Sequence, residues 1–336
     1  MHTGSSEHHP SAMSASNFVG RLTRKFDGFW AIAIVALPAT LLFLALCSAL
    51  FTTTPSPDTF RSCNNIECTL QIPRIIHQTY KNKNLPESWA ETPAIWKEQH
   101  PGWSYEFWDD ERNRKFIADN YAWFLPQFDA YPNNIQRADS IRYFILLHYG
   151  GVYADMDIQP MRNIEPMLGD AELVLPETPN LGLTNAFMAS VPNHPFMKLV
   201  TEELGPHANR WYHFTRHWQI LTSTGPTFIW KLADEWGGPY LRVPASVWGK
   251  CKICQSSCPV LRDGYLRHLH GDSWHNWDSW FFTYVIFCHQ YTLILLGTAL
   301  ALAVAMRAST VAWILAHREI VMLSLGCFVL LMFFQG

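Results

Sequence analysis

Apolar positions along this chain follow two rhythms. Short β-type runs (Ile75-Ile76, Val152-Tyr153, Leu173-Val174-Leu175, Phe187-Met188) alternate with stretches of helical spacing at 111–120, 136–148 and 195–204. Such alternation predicts a mainly parallel sheet with helices on both faces. Elsewhere the rhythm gives way to continuous apolarity. Residues 29–51 and 281–306 carry no charge, and 309–334 is broken only around His317, Arg318 and Glu319. About 20 apolar residues in a helix cross a hydrocarbon core of about 30 Å. The runs therefore predict one N-terminal anchor and a C-terminal transmembrane hairpin. Arg21, Arg24 and Lys25 precede the first run, which places the N-terminus in the cytosol and the following chain in the lumen. The expected organisation is a cytosolic tail at 1–28, an anchor at 29–51, a Pro/Ser/Thr-containing linker at 52–71, a lumenal domain at 72–280 and a membrane hairpin at 281–336.

Composition sharpens this division. Only 16% of the 336 residues are charged, against about 25% in ordinary domains, and the apolar spans account for the deficit. Fifteen Trp, 12 Tyr and 21 Phe exclude a disordered chain. A net charge of −3 gives no long-range attraction to nucleic acid. Eight cysteines are too few for a disulfide-built scaffold. Five of them, Cys63, Cys68, Cys251, Cys254 and Cys258, are expected in the lumen, where disulfides are favoured. Cys63–Cys68 is the local pairing, and two of the 251–258 cluster would pair. Zinc held by that cluster with His268 or His270 is the alternative. Cys47, Cys288 and Cys327 fall in the apolar runs and are expected to be packing residues.

The chemistry concentrates at 136–157. This stretch reads as a helix, a Gly150-Gly151 stop, a short strand, and then Asp155-Met156-Asp157 beyond the strand's C-terminal end, where open α/β sheets bind ligands. In extended geometry the two carboxylates point the same way. They form a hard oxygen site suited to Mg²⁺ or Mn²⁺. Asp139 and Arg142 stand i, i+3 on the preceding helix with Arg137 nearby. Arg142 interrupts the apolar run 141–147, so its charge needs a partner or a ligand.

Three segments in this order resemble glycosyltransferase family 32: 72–81 (IPRIIHQTYK), 137–143 (RADSIRY) and 150–157 (GGVYADMD). Further segments, 190–196 (SVPNHPF), 223–226 (STGP) and 271–275 (GDSWH), resemble its fungal branch acting on inositol phosphorylceramide. The resemblance covers about 72–280 and implies a GT-A fold and a metal-dependent, retaining mannosyltransferase. It also implies GDP-mannose as donor and inositol phosphorylceramide as lipid acceptor. A Golgi membrane location with a lumenal catalytic domain follows from it, as does a possible multi-pass regulatory subunit. Asp155, Asp157 and His275 would hold Mn²⁺ or Mg²⁺, with Ser273 and Trp274 lining that site. Asp139 and Arg142 would bind the donor sugar, with Arg137 beside them. His77, Gln78, Thr79 and Tyr80 would face the nucleotide, and Asn185 would contact donor or acceptor. Asp272 stands where the resemblance leads one to expect a small residue. Retention would follow a front-face route, with the leaving phosphate helping to take the acceptor proton. The competing readings are a family 32 α-1,6-mannosyltransferase acting on glycans and a non-catalytic regulatory membrane subunit.

Overall fold

A computed structural model describes residues 69–179, 182–249, 254, 264–269 and 277–307. Its centre is a six-stranded sheet. The strands are β1 (Ile75–Thr79), β2 (Ser104–Trp108), β3 (Gly151–Ala154), β5 (Leu173–Pro176), β6 (Phe187–Ser190) and β7 (Leu241–Val243), in spatial order β2-β1-β3-β6-β5-β7. A separate antiparallel ladder joins β4 (Ile158–Pro160) to β8 (Leu266–His268). Helices of eight residues or more are α1 (Thr92–Gln99), α2 (Asp110–Asn120), α3 (Asn134–Tyr149), α4 (Pro195–His207), α5 (Arg216–Ser223), α6 (Pro226–Trp236) and α7 (Cys288–Arg307).

The sheet is mixed. β1 runs parallel to β2 and β3, and β5 parallel to β7, but β6 is antiparallel to both its neighbours. The connection 177–186 is too short for a helical crossover, which takes about a dozen residues, so β6 returns reversed beside β5. Side-chain alternation divides each strand between two cores. Tyr153, Leu173, Leu175 and Met188 face the core built with α3, α4 and α6. Val152, Ala154, Val174, Phe187 and Ala189 face the core that contains Trp96 of α1 and Met167. Helices therefore cover both faces, as the sequence pattern predicts.

Two features place the site. The first is the joint between α3 and β3, where Gly150 and Gly151 both have positive φ (64° and 90°). A Cβ on Gly150 would lie 2.7 Å from Pro192, and one on Gly151 2.6 Å from the Ile75 carbonyl. Only glycine fits at either position. The second is a capping box at the start of α3, in which Asn133 and Gln136 bond reciprocally. Buried Gln136 also donates to Ser223 Oγ at the end of α5 (2.8 Å).

Among the described residues, 69–290 lie in one compact unit and 291–307 in another. No single described helix is long and apolar enough to cross a membrane. Trp277–Ile286 and Tyr291–Ala299 pass that test only when taken together. Phe281–Phe287 is a π-helix. The first apolar run and the third lie outside the described residues. Cys254 is bonded to Cys288 (Cα–Cα 5.5 Å). This corrects the expectation that Cys288 is a packing residue, and it removes Cys254 from a zinc cluster. Cys63, Cys68, Cys251 and Cys258 lie outside the described residues.

Candidate active site

Asp155, Met156 and Asp157 connect β3 to β4. The Ile158 amide donates to the Asp155 carbonyl (3.0 Å), which makes the acidic pair part of a tight turn and not an extended strand. The turn, and not strand alternation, therefore sets the two carboxylates. Met156 is buried and anchors the turn. Asp155 is held from two sides. Its amide donates to Ala186 O (2.8 Å), and its carbonyl accepts from Gln78 Nε2 (3.0 Å). Gln78 is aimed by Tyr105, whose hydroxyl donates to Gln78 Oε1 (2.9 Å).

Beneath the turn lies a buried charge cluster. Arg142, only 3% exposed, sits with Nη2 2.9 Å from Asp139 Oδ1 and Nη1 3.1 Å from Asp155 Oδ1. Its Nη1 also donates to Asn185 O (2.7 Å) and its Nε to Ala138 O (3.2 Å). The guanidinium lies 4.7 Å from the Tyr153 ring centroid, and the Tyr153 hydroxyl donates to Asp155 Oδ1 (2.9 Å). Asp139 accepts from Asn185 Nδ2 on one oxygen and Thr224 Oγ1 on the other, both at 3.1 Å. Asn185 Nδ2 also donates to Tyr143 Oη (3.0 Å). Burial opposes charge here, and it outweighs Arg142 to push the Asp139 carboxyl up to about 7. Arg142 is driven the other way: burial lowers its affinity for a proton, but Asp155, Tyr153 and Asp139 raise it net, so it stays cationic.

Asp157 follows on the other arm of the turn. Its Oδ2 lies 3.7 Å from His268 Nε2, and its carbonyl accepts from the Leu269 amide (2.7 Å). The β4–β8 ladder thus brings His268 beside the acidic pair. His275, Ser273 and Trp274 lie outside the described residues. Asp155 keeps 30% of its side chain exposed, and no described side chain bonds its Oδ2. An acidic turn offering carboxylate oxygens is a donor set that a hard divalent cation fits. Among the described residues no group of three or more His, Cys, Asp or Glu converges on one point.

The residues at the end of β1 serve different purposes. His77 is buried between two protein partners: Trp108 Nε1 donates to its Nδ1 (3.1 Å), so its Nε2 carries the proton that goes to Gly150 O (3.0 Å). Burial lowers its pKa to about 4 and keeps it neutral. Thr79 donates to Trp108 O (2.9 Å) and accepts from Asn113 Nδ2 (2.9 Å). Tyr80 meets Trp89 edge to face. Arg137 donates through Nη1 to Tyr131 O (2.7 Å) and through Nη2 to Asn134 Oδ1. The structure thus joins Asp139, Arg142, Asp155 and Asn185 in one network, with Gln78 behind it. It adds Tyr143, Tyr153 and Thr224, to which the sequence assigned no role. Thr224 lies 85 residues from its carboxylate partner, and its only sequence signal is the 223–226 segment.

Comparison with known proteins places this geometry. Residues 86–174 match the family described as a glycosyltransferase sugar-binding region containing a DXD motif, and Asp155-Met156-Asp157 is the motif within them. The chain is 36% identical over 222 residues to inositol phosphoceramide mannosyltransferase 1 of Schizosaccharomyces pombe, covering 64% of this chain and 66% of that protein. It is 39% identical over 212 residues to a mannosyl phosphorylinositol ceramide synthase of Saccharomyces cerevisiae, covering 62% and 53%. The matches thus span less than two thirds of either relative's length. A solved structure described as PaToxG glycosyltransferase aligns with 50% of this chain and 71% of its own, at 16% identity and a TM-score of 0.38.

Proposed function

We propose, from the DXD glycosyltransferase region at 86–174 as premise, that this chain transfers mannose from GDP-mannose to inositol phosphorylceramide. The observation that carries the reading is the buried Asp139–Arg142–Asp155 cluster directly beneath the acidic turn. Burying a cation and a carboxylate is costly unless geometry holds them, and here Arg142 and Asp139 are held so that Arg142 reaches the partly exposed Asp155. The likeness to the two yeast transferases supports the lipid acceptor. A GT-A arrangement agrees with the mixed sheet and the acidic turn at its strand ends.

Asp155 and Asp157 would hold Mn²⁺ or Mg²⁺. Such an ion supplies charge stabilisation to a departing nucleoside diphosphate. The chain's own residues do the positioning. Arg142 pins Asp155 and, among the described residues, takes no charged partner beyond the two carboxylates. Both oxygens of Asp139 are engaged by protein donors, so Asp139 is a positioning residue and not a nucleophile. That fits retention by a front-face route, in which the leaving phosphate receives the acceptor proton. The apolar runs at 29–51, 281–306 and 309–334 would hold the domain at a Golgi membrane, its active site facing the lumen, and a multi-pass subunit would pair with them there.

The test is transfer of labelled mannose by the purified full chain in detergent with Mn²⁺. Labelled inositol phosphorylceramide is the expected product, with Asp155→Ala and Asp157→Ala each lowering its rate at least ~100-fold. Label on a mannan glycan alone would refute the lipid acceptor. Unchanged transfer by both variants would refute catalysis at the acidic turn.

A further inference from the structure

Four large aromatic side chains are left exposed at one end of the domain. Trp211 is 74% and Phe214 72% exposed in the loop 208–215 that joins α4 to α5, with ring centroids 6.1 Å apart. Trp277 and Trp280 are exposed in the helical turn Trp277–Trp280. Two buried bonds tie that turn to the loop. The His217 amide, three residues past Phe214, donates to Asp278 Oδ2 (2.8 Å), and His217 Nδ1 lies 2.9 Å from Ser279 Oγ. Asp278 and Ser279 are spent inwards, and the tryptophans on either side of them face out.

The path of the chain fixes which end this is. α4 starts beside the Gly150-Gly151 joint, where the Asn193 amide donates to Leu147 O (2.7 Å). It rises about 20 Å over its 13 residues. The loop after it leads into Arg216, whose Nε donates to Asn133 Oδ1 (2.8 Å) at the N-cap of α3. That is the half of α3 that carries Asp139, away from the Gly150-Gly151 joint. α5 then runs back from the loop for 8 residues, about 12 Å. It ends at Thr224, whose hydroxyl donates to Asp139 Oδ2 (3.1 Å). One short helix separates the exposed aromatics from the charge cluster.

Exposed apolar patches mark protein or membrane contacts, and two observations favour the membrane. The charge-free run 281–306 follows Trp280 directly, and Phe281 and Tyr284 at its start are exposed too. Residues 204–233 hold no Asp or Glu but include Arg210, Arg216 and Lys231, with Arg210 exposed. Trp and Phe beside basic residues are the composition of segments that lie in a bilayer interface and draw anionic headgroups. We propose that the loop 208–215 and the turn Trp277–Trp280 dock on an anionic bilayer surface. Trp211, Phe214, Trp277 and Trp280 enter the headgroup layer, and the acidic turn works on a lipid still seated in its leaflet. The inference rests on the lipid-acceptor reading above and adds the face that brings the site to the lipid.

The test is photolabelling of the full chain in vesicles of phosphatidylcholine and phosphatidylinositol, doped with a phosphatidylcholine that carries a diazirine high on its acyl chain. Lipid adducts are expected on the peptide holding Trp211 and Phe214. The double variant Trp211→Ser, Phe214→Ser is expected to lower that labelling about tenfold or more. It should also slow transfer to inositol phosphorylceramide in the vesicles about tenfold while leaving the KM for GDP-mannose unchanged. Trp211→Phe with Phe214→Trp keeps the aromatic surface and should keep wild-type values for both. Arg210→Glu, at an exposed position, decides if the double variant fails to fold: it should cut loop labelling about fivefold with phosphatidylinositol present and leave it unchanged in phosphatidylcholine alone. Adducts confined to 281–306 overturn the docking, as does unchanged lipid transfer by the double variant, and mannose transfer to inositol phosphorylceramide then still upholds the acceptor. Loop adducts without that transfer would keep the docking face and sink the lipid acceptor.

Discussion

Two ion pairs within a few turns of each other show how burial changes what a charge does. Arg114 and Asp129 form a two-bond fork on the surface, with side chains 57% and 41% exposed. Arg142 and Asp139 are just as close, at 2.9 Å, but are almost sealed from water at 3% and 6%. The exposed pair is screened and pays rotamer entropy, so its geometry contributes little. The buried pair has no water to fall back on, so each partner depends on the other and on Asn185, Thr224 and Asp155. Short distance is common to both; only the second has consequences for the acidic turn.

The largest break in that contrast comes from Arg142→Met. It leaves the buried Asp139 and the partly exposed Asp155 without their cation and is expected to cost about 3–5 kcal/mol in urea unfolding and to abolish transfer. A loss no greater than that of Arg114→Ala would erase the distinction. Next, Cys288→Ser opens a 34-residue loop and is expected to lower stability by about 2–4 kcal/mol without altering GDP affinity. Asp139→Asn sharpens the comparison through pH. The folded carboxyl holds its proton up to about 7, well above the unfolded carboxylate range. Its contribution favours the fold at low pH and is lost as pH rises from about 4 to 7. His77 works oppositely, because its folded pKa of about 4 lies below the unfolded value, so its contribution is lost as pH falls through the same window. Melting temperatures of wild type minus Asp139→Asn should therefore decline between pH 4 and 7, and a flat difference would refute a buried, proton-holding Asp139. Arg114→Ala is the smallest effect: an unchanged urea midpoint and unchanged salt dependence of folding.

Much of the fold was legible because its signals are local. The apolar run of α3, the Gly-Gly stop and the four β-type runs fall within their elements. Arg142 announced its need for a partner by interrupting 141–147, although the sequence could not say that the partners include the Asn185 carbonyl, 43 residues away. β6 reads as an ordinary strand, and its reversal follows from the length of 177–186, which no periodicity reports. The acidic pair looked like an extended strand end and is a turn, because the Ile158 amide bonds back to Asp155. The Trp108–Thr79–Asn113 relay joins residues 29 and 34 apart, and only the parallel pairing of β1 with β2 makes it visible. The Cys254–Cys288 bond has no signal in the sequence, because Cys288 sits in an apolar run, where a thiol is usually a packing group.

That bond also sets an order of events. The loop it closes includes β8, whose ladder with β4 begins at Ile158, one residue past Asp157. Strands and helices of this size form in microseconds, whereas thiol oxidation takes seconds to hours. The strand that pairs with one arm of the acidic turn therefore belongs to a loop closed by a covalent bond. Before the thiols are oxidised, β8 depends on its ladder with β4 to stay beside the acidic turn; afterwards the cross-link limits how far it can stray.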